Sequence, residues 1–209
     1  MAPPIRIAVL LSKAGTSLQS MLDRIADGRL NAQIVAVISN NANAFGLERA
    51  RRAKIPAFAV SLKDAGSVGE FSRRIFAHCR DAKAELVCLA GFLQLIQVPD
   101  DFAGRVMNIH PALIPAFCGK GFYGHHVHEA AIESGVKLSG CTVHFVDDQY
   151  DHGPIISQRT VPVLDDDTPK TLAERVFALE CDVYPEAIRL FAEKRLKIEG
   201  RRVRILGIQ

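Results

Sequence analysis

The sequence predicts an α/β protein with a Rossmann-like, mostly parallel sheet flanked by helices, and an antiparallel C-terminal extension of the same sheet. In the first half, short apolar segments rich in branched residues alternate with amphipathic ones, beginning at Ile5–Leu11. This alternation is typical of parallel strands joined by helical crossovers. In the second half, two apolar segments are joined by the polar loop 147–153. That arrangement predicts an antiparallel hairpin.

The elements of the first half follow from hydrophobic periodicity. After the first strand, apolar residues at positions 18, 21, 22 and 25 recur with helical spacing. Apolar runs bounded by turn residues predict strands, and amphipathic stretches predict helices. The further predicted strands are 33–39, 57–60 and 85–90, and the further predicted helices are 43–54 and 67–82.

The second half has a different pattern. A strand at 106–109 precedes Pro111 and Pro115, which exclude a helix there. Thr168 is a favourable helix cap and Pro169 a favourable first helical residue, so a long helix is predicted to about residue 193. The other predicted elements are a helix at 126–133, strands at 140–146 and 154–163, and a short basic strand pair at the end. We expect one domain, 1–209, with a first half to about residue 105 and a second half from about 106.

Composition narrows the class of protein. A net charge of +3 from 26 basic and 23 acidic residues, with no long run of one sign, does not indicate a nucleic-acid partner. No apolar stretch has the length of a membrane span or a signal sequence. The five cysteines show no pairing pattern. We therefore expect a cytoplasmic protein without nucleic-acid or membrane partners.

The strand that ends near residue 110 carries an amide and an imidazole on one face. Asn108 and His110 are two residues apart, and alternate residues of a strand point to the same side. An amide donor beside an imidazole suits an oxygen that gains negative charge during acyl transfer. The alternative is that both side chains satisfy backbone groups of a loop.

The loop between the two predicted hairpin strands supplies a carboxylate. Asp151 is the candidate because it adjoins the Gly153-Pro154 turn, where the loop tightens. A carboxylate beside His110 is expected to raise the pKa of the imidazole, and the protonated ring can then stabilise or protonate an oxyanion. The alternative is an acidic hairpin on the surface.

The turn after the first strand is a candidate anion site. Gly15, Thr16 and Ser17 stand at the helix start, where free backbone N–H groups and the helix dipole attract anions. The turn matches neither a dinucleotide-binding nor a Walker-type sequence, so it predicts a site for one phosphate monoester. A plain helix-capping turn is the alternative.

Two further groups of polar residues have both functional and structural interpretations. Glu180 lies at the edge of the apolar stripe of the long helix, so it either pairs with a Lys or Arg of the chain or receives a substrate ammonium. His125, His126 and His128 suggest metal ligands. No partner carboxylate is evident in the sequence, so no metal is predicted.

Six segments, in this order, resemble the monofunctional, folate-dependent phosphoribosylglycinamide formyltransferase family of purine synthesis. They span nearly the whole chain: SKAGTSLQSML, SNNANAFGLERAR, LAGFLQLI, MNIHPALIPAF, GCTVHFVDDQYDHGPIISQ and ALECDVYP. The NIHP and HFVDDQYDHGPI segments resemble formyl-folate enzymes in general. The SKAGTSLQ and AFGLERAR segments resemble the glycinamide branch.

The resemblance implies transfer of the formyl group of 10-formyltetrahydrofolate, the co-substrate, to the amine of 5-phosphoribosylglycinamide, giving formylglycinamide ribonucleotide. It implies direct attack by the neutral amine, with the oxyanion stabilised by Asn108 and by protonated His110 held by Asp151. The implied phosphoribosylglycinamide contacts are Gly15, Thr16, Ser17, Phe177, Ala178, Leu179 and Glu180. The implied folate contacts are Leu93, Gln94, Leu95, Ile96, Asn108, Asp147, Asp148, Gln149, Tyr150 and Asp151. These two small molecules are the implied partners, and we expect a monomer or homodimer. The resemblance also implies that the half to about residue 105 binds the phosphate and that the half from about 106 is the catalytic, folate-binding half.

The chain departs from the family pattern at three places. The loop Gly119–Gly124 is longer than the usual short turn, which affects the expected shape of the pocket mouth. Val68 stands where many relatives carry an arginine facing the folate, which affects the expected affinity for the folate tail. Phe177 replaces a polar residue.

Three other functions compete with the glycinamide transferase. Formyltetrahydrofolate deformylase transfers the formyl group to water and is expected to carry an added N-terminal domain. Methionyl-tRNA formyltransferase is expected to carry an added C-terminal RNA-binding domain. We expect neither domain here, which favours glycinamide. A non-catalytic nucleotide-binding module would leave Asn108, His110 and Asp151 without a shared purpose.

Overall fold

A computed structural model describes residues 3–207, which divide into two compact units between Met107 and Asn108. The division lies close to the boundary, near residue 105, between the two predicted halves. The ends of the predicted 1–209 domain, residues 1–2 and 208–209, lie outside the described residues. Each unit has its own arrangement of strands and helices.

The first unit alternates strands and helices, as its periodicity predicts. Its strands are β1 (Ile5–Leu11), β2 (Ala32–Ser39), β3 (Ala57–Ala59) and β4 (Leu86–Leu89). Its helices are α1 (Thr16–Ala26), α2 (Phe45–Arg52), α3 (Leu62–Ala65) and α4 (Val68–Asp81). β1 pairs in parallel with β2 and β4, and β2 with β3, giving the order β3-β2-β1-β4. The four-residue α3 was not predicted, because one turn is too short to show a period.

The sequence explains these elements locally. Val9, Leu10 and Val37 are fully buried, as expected for branched residues in strands covered on both faces. α1 buries Leu18 on its inner face. Ser67 caps α4 by accepting a hydrogen bond from the Glu70 backbone N–H at 3.1 Å. The first unit is therefore a parallel sheet whose strand ends lead into helix starts.

The second unit is mainly antiparallel. The boundary falls within β5 (Val106–His110), and the later elements are α5 (His125–Glu133), β6 (Leu138–Phe145), β7 (Ile155–Pro162), α6 (Pro169–Ala192), β8 (Leu196–Glu199) and β9 (Arg202–Ile205). β6 and β7 form the predicted hairpin. β8 and β9 form the predicted closing pair, and β9 meets β7 where Arg202 lies beside Ile155.

The long helix α6 begins and ends close to its predicted bounds. The Thr168 hydroxyl accepts from the Thr171 backbone N–H at 3.2 Å, and Pro169 follows it, which fixes the helix start. α6 packs on β6, β7 and α5 and buries Val176 in the contact. Leu179, which follows Val176 at helical spacing and would continue the apolar stripe, is only half-buried.

The predicted fold class is confirmed: a mixed α/β protein, with a mostly parallel first part, flanking helices and antiparallel C-terminal strands. This prediction was based on the alternation of strands with helices and on the positions of the prolines and helix caps. Among residues 3–207, no helix is long and apolar enough to cross a membrane.

Candidate active site

The predicted phosphate loop lies in the first unit, between β1 and α1. Gly15 is the residue before the helix and adopts a left-handed conformation, with φ 69° and ψ 38°. No side chain caps α1, and no acidic residue lies in its first turn. The backbone N–H groups of this turn, together with the Thr16 and Ser17 hydroxyls, can therefore serve an anion.

Helix α2 holds this loop in place. The Arg49 guanidinium donates to the Ala14 carbonyl at 2.9 Å and to the Gln19 side-chain oxygen at 2.8 Å. The Gly46 N–H donates to the Lys13 carbonyl at 3.1 Å. The loop and α2 are therefore fastened together by both backbone and side-chain hydrogen bonds.

Replacing Gly15 by alanine is expected to damage the loop. An added Cβ would lie 2.7 Å from the Gly46 Cα, and φ is positive, so both crowding and strain arise. We expect Gly15→Ala to lower the free energy of unfolding by about 1–3 kcal/mol and to raise the KM for phosphoribosylglycinamide. Urea denaturation and steady-state kinetics measure the two effects.

Gly28→Ala is the matched control, because Gly28 has φ 77° but nothing within 4 Å of an added Cβ. Alanine at this position introduces backbone strain without crowding. We therefore expect the free energy of unfolding to fall by about 1 kcal/mol and the KM to stay unchanged. Equal effects of the two variants on KM would contradict a role of the loop in substrate binding.

The segment predicted to border the folate follows β4 in the same unit. The Leu93 N–H donates to the Ser12 hydroxyl at 2.8 Å, which ties this segment to the residue that follows β1. Leu93, Gln94 and Leu95 are half-buried, whereas Ile96 is 1% exposed. The first three side chains are therefore more accessible than Ile96.

The second unit brings Asn108, His110 and Asp151 into one cluster. The Asn108 side-chain amide donates to Asp151 Oδ1 at 3.2 Å, and His110 Nδ1 lies 3.5 Å from Asp151 Oδ2. His110 is 4% exposed. Asn108 and His110 thus share the carboxylate of a residue that is more than 40 positions away in the chain. The alternative that both side chains serve only local loop groups does not describe this arrangement.

The backbone places the carboxylate. Asp151 itself has a left-handed conformation, with φ 50°, which is uncommon for a residue other than glycine. Gly153 lies against the Phe145 carbonyl, so closely that any side chain at this position would collide with it. The Gly119 N–H donates to Asp151 Oδ2 at 2.9 Å. These contacts turn Asp151 inward, so the loop is not merely an acidic surface hairpin.

The pKa of His110 departs from the expected direction. Burial lowers it below the usual 6.5 and outweighs the opposing effects of the Asp151 carboxylate and the Phe117 carbonyl, while the nearby His144 lowers it further. Asp151 thus acts as predicted. The predicted net rise of the His110 pKa is nevertheless wrong, because the ring is almost fully desolvated.

Asp151 remains a carboxylate at neutral pH. Burial by itself raises its pKa, but the His144 ring, the His110 ring and the Gly119 N–H together lower it below the usual 3.8. The negative charge that favours His110 protonation is therefore present over the physiological pH range.

Sequence reasoning missed two residues of this cluster. His144 Nε2 lies 3.1 Å from the Asn108 amide nitrogen and 3.8 Å from Asp151 Oδ1. The Phe117 carbonyl, on a residue with φ 49°, lies 2.8 Å from His110 Nε2. A histidine among the apolar residues of a buried strand was a signal that could have identified His144. Nothing in the sequence marks a backbone carbonyl.

The rest of the predicted folate loop is more exposed. Asp147 is half-buried, whereas Asp148, Gln149 and Tyr150 are exposed, Tyr150 at 38%. His152 Nδ1 lies 2.7 Å from Asp147 Oδ2, and Arg201 lies 2.7 Å from His152 Nε2. The turn between β8 and β9 therefore supports the loop from its outer side.

The segment of α6 predicted to contact the substrate includes the acidic side chain of Glu180. Phe177, Leu179 and Glu180 are half-buried, and Ala178 is exposed. Burial raises the pKa of Glu180 to about 8. Among residues 3–207, no Lys or Arg forms an ion pair with Glu180, so the alternative of an internal cation partner is not found there.

The histidines at the start of α5 do not assemble a metal site. His126 pairs with Glu129 at 3.2 Å, and His128 is buried, with its pKa lowered to about 4 by burial and by the nearby His125 and His110. In the part of the chain that the structure describes, no group of three or more His, Cys, Asp or Glu side chains could hold a metal ion.

Two of the three departures from the family pattern, the long loop and Val68, border helices. The loop Gly119–Gly124 leads into α5, and its Phe122 and Tyr123 are 37% and 42% exposed. Tyr123 makes an edge contact with the His126 ring. Val68 is the first residue of α4. The long loop thus adds exposed aromatic surface while its first residue reaches Asp151.

A buried imidazole beside a half-buried amide and carboxylate suits acyl transfer, and residues 5–188 match the formyl transferase family model. The chain therefore belongs to the formyl transferase family. Within it, the chain groups with the phosphoribosylglycinamide formyltransferases. It is 36% identical over 196 residues to that enzyme of Haemophilus influenzae, covering 93% of this chain and 90% of the relative.

Two further relatives agree with this grouping. The crystal structure of glycinamide ribonucleotide transformylase 1 from Symbiobacterium toebii is 46% identical, with a TM-score of 0.89, and the match covers 99% of this chain and 96% of that one. The trifunctional purine biosynthetic protein adenosine-3 of Drosophila pseudoobscura pseudoobscura is 42% identical over 199 residues. That match covers 93% of this chain but only 14% of the relative.

Proposed function

We propose that the chain, as one formyltransferase domain, transfers the formyl group of 10-formyltetrahydrofolate to the amine of 5-phosphoribosylglycinamide, a step of purine synthesis. The observation that carries the proposal is the single Asp151 carboxylate in reach of both Asn108 and His110. The similarity to phosphoribosylglycinamide formyltransferases supports the choice of acceptor.

The proposed reaction is direct attack. The neutral amine forms a bond to the formyl carbon, whose oxygen becomes an oxyanion stabilised by Asn108 and protonated His110. The bond from the formyl carbon to folate N10 then breaks, and the proton lost by the amine reaches N10 through water. No covalent enzyme intermediate is formed.

Protonation of His110 depends on opposing effects. In the ligand-free protein, burial outweighs Asp151 and lowers the His110 pKa. Negative charge developing on the formyl oxygen acts in the same direction as Asp151 and favours the imidazolium. His110 Nε2 also has to exchange the Phe117 carbonyl for the substrate, because the carbonyl occupies that nitrogen at 2.8 Å.

The acceptor amine is proposed to meet Glu180. Among residues 3–207, its half-buried carboxyl group has no cation partner, and its pKa of about 8 keeps the group largely protonated until an ammonium favours the ionised form. We propose that Phe177, Ala178 and Leu179 line the same contact, and that Gly15, Thr16 and Ser17 hold the phosphate.

Glu180→Gln is expected to weaken the binding of phosphoribosylglycinamide more than the binding of folate. The amide keeps the size of the side chain but cannot pair with an ammonium, so the KM for phosphoribosylglycinamide should rise about 10-fold or more, with a smaller change for the folate. Glu174→Gln, an exposed carboxylate on the same helix, is the control and should leave both unchanged. Equal losses for both ligands would indicate a packing defect.

The folate is proposed to contact Leu93–Ile96 and the loop 147–151, with Asn108 at the reacting end. The support is the anchoring of both segments, by Ser12 for the first and by His152 and Arg201 for the second. Within the described residues, the five cysteines form no disulfide, which favours a reducing compartment such as the cytoplasm.

A spectrophotometric assay with a 10-formyl folate tests the function directly. Folate product that forms only when phosphoribosylglycinamide is present is the expected result. Release without an acceptor would indicate a deformylase instead. Binding of both ligands without product would indicate a nucleotide-binding module.

A further inference from the structure

His144 is buried beside the reacting groups and has no role in the reaction proposed above. Its side chain is 2% exposed, and it lies on β6 at the point where the register with β7 shifts, between Val143 and His144. A bulge of this kind re-aims a side chain relative to the regular strand. Here the ring points into the Asn108 and Asp151 cluster.

The hydrogen bonds of His144 define its tautomer. Nδ1 lies 2.8 Å from the Phe145 carbonyl oxygen, which can only accept, so Nδ1 carries the proton. In the neutral form of the ring, Nε2 then carries a lone pair and lies 3.1 Å from the Asn108 amide nitrogen. The Asn108 amide therefore donates to His144.

The same contacts fix which way the Asn108 amide faces. Its nitrogen lies between two acceptors, His144 Nε2 at 3.1 Å and Asp151 Oδ1 at 3.2 Å. A flipped amide would place its oxygen against the lone pair of His144 Nε2 and against the Asp151 carboxylate. Both contacts would then be repulsive, so only one orientation is stable.

We propose that His144 is a positioning residue for the formyl transfer. It holds one hydrogen of the Asn108 amide throughout the reaction. The second hydrogen of the amide donates to Asp151 in the ligand-free protein. It donates to the formyl oxygen instead as negative charge develops there. This inference rests on the proposed function and adds a residue to it.

The test compares variants that keep or remove the acceptor. His144→Phe preserves a buried ring but cannot accept, so kcat should fall about 100-fold, as expected for a misplaced catalytic group, with little change in the KM for phosphoribosylglycinamide. His144→Gln places a carbonyl oxygen near the original Nε2 position and should recover most of the lost turnover. His144→Asn is too short to reach Asn108 and should resemble the Phe variant, which keeps the test available if Phe disturbs folding.

A double-mutant cycle separates positioning from general damage. In an Asn108→Ala background, His144→Phe should reduce kcat by less than about twofold further, because the group it orients is gone. His78→Phe, a histidine stacked on Phe58 in the first unit, is the control and should leave kcat unchanged. An active His144→Phe variant, or additive losses in the cycle, would overturn the inference. An inactive wild-type protein would instead remove the proposed function itself.

Discussion

His110→Ala is expected to lower kcat by about 100- to 1,000-fold, the loss that follows when one donor to a developing oxyanion is removed. The His110 ring is almost fully buried, between the Asp151 carboxylate and the Phe117 carbonyl. Alanine removes the ring from the Phe117 carbonyl and from Asp151, which keeps its hydrogen bonds from Asn108 and Gly119. It also removes the group proposed to carry positive charge in the transition state. Steady-state kinetics with saturating folate and phosphoribosylglycinamide measure the loss.

Binding of the phosphate substrate should survive this change. The predicted phosphate loop lies in the first unit, where hydrogen bonds to α2 hold it in place. Calorimetric titration with phosphoribosylglycinamide should therefore give a dissociation constant within a few-fold of wild type. His78→Ala, in the first unit, is the control. Near-normal turnover in His110→Ala would exclude the oxyanion role.

Asp151→Asn is expected to lower kcat by about 100-fold or more. The substitution keeps the shape of the side chain but removes the charge that favours protonated His110. It also replaces one of the two oxygens that accept from Asn108 and Gly119 by an amide nitrogen. Both the charge and the orientation of the cluster are therefore disturbed.

The pH dependence gives Asp151→Asn a second readout. The proposed active form has a protonated His110, so kcat/KM falls as pH rises through the pKa of that ring. Asp151 raises the His110 pKa, although burial makes the net shift a lowering. Removing the charge lowers the pKa further, and the falling limb should move to lower pH. Asp165→Asn, an exposed carboxylate paired with Lys137, should leave the profile unchanged.

The opposite result would be equally clear. If the falling limb of the kcat/KM profile stays at the same pH in Asp151→Asn, the carboxylate does not act through the protonation of His110. A turnover loss without a pH shift would then assign Asp151 to orienting Asn108 alone.

Much of the fold followed from the sequence because it depends on local patterns. The bounds of β1 matched those predicted, since a buried branched run ends at a turn. Thr168 and Pro169 located the start of α6, because cap chemistry acts within one turn. The missed α3 has only four residues, so no periodicity could mark it.

The candidate site was only partly predictable. Strand alternation placed Asn108 and His110 on one face, and the glycine-proline turn singled out Asp151. The position of His144 in the site depends on a register shift between β6 and β7. Phe117 contributes through its backbone carbonyl, which is placed by a left-handed backbone conformation. Neither feature leaves a periodic signal in the sequence.

The sequence by itself determined the order of strands and helices, the family resemblance and the residue types available for formyl transfer. The tertiary structure alone decided the protonation balance of His110 and the orientation of the Asn108 amide. Burial lowers the pKa of His110 by removing water from the ring, and desolvation is set by every element that packs around it. The amide faces His144 and Asp151 because residues 36 and 43 positions away in the chain come within hydrogen-bond distance.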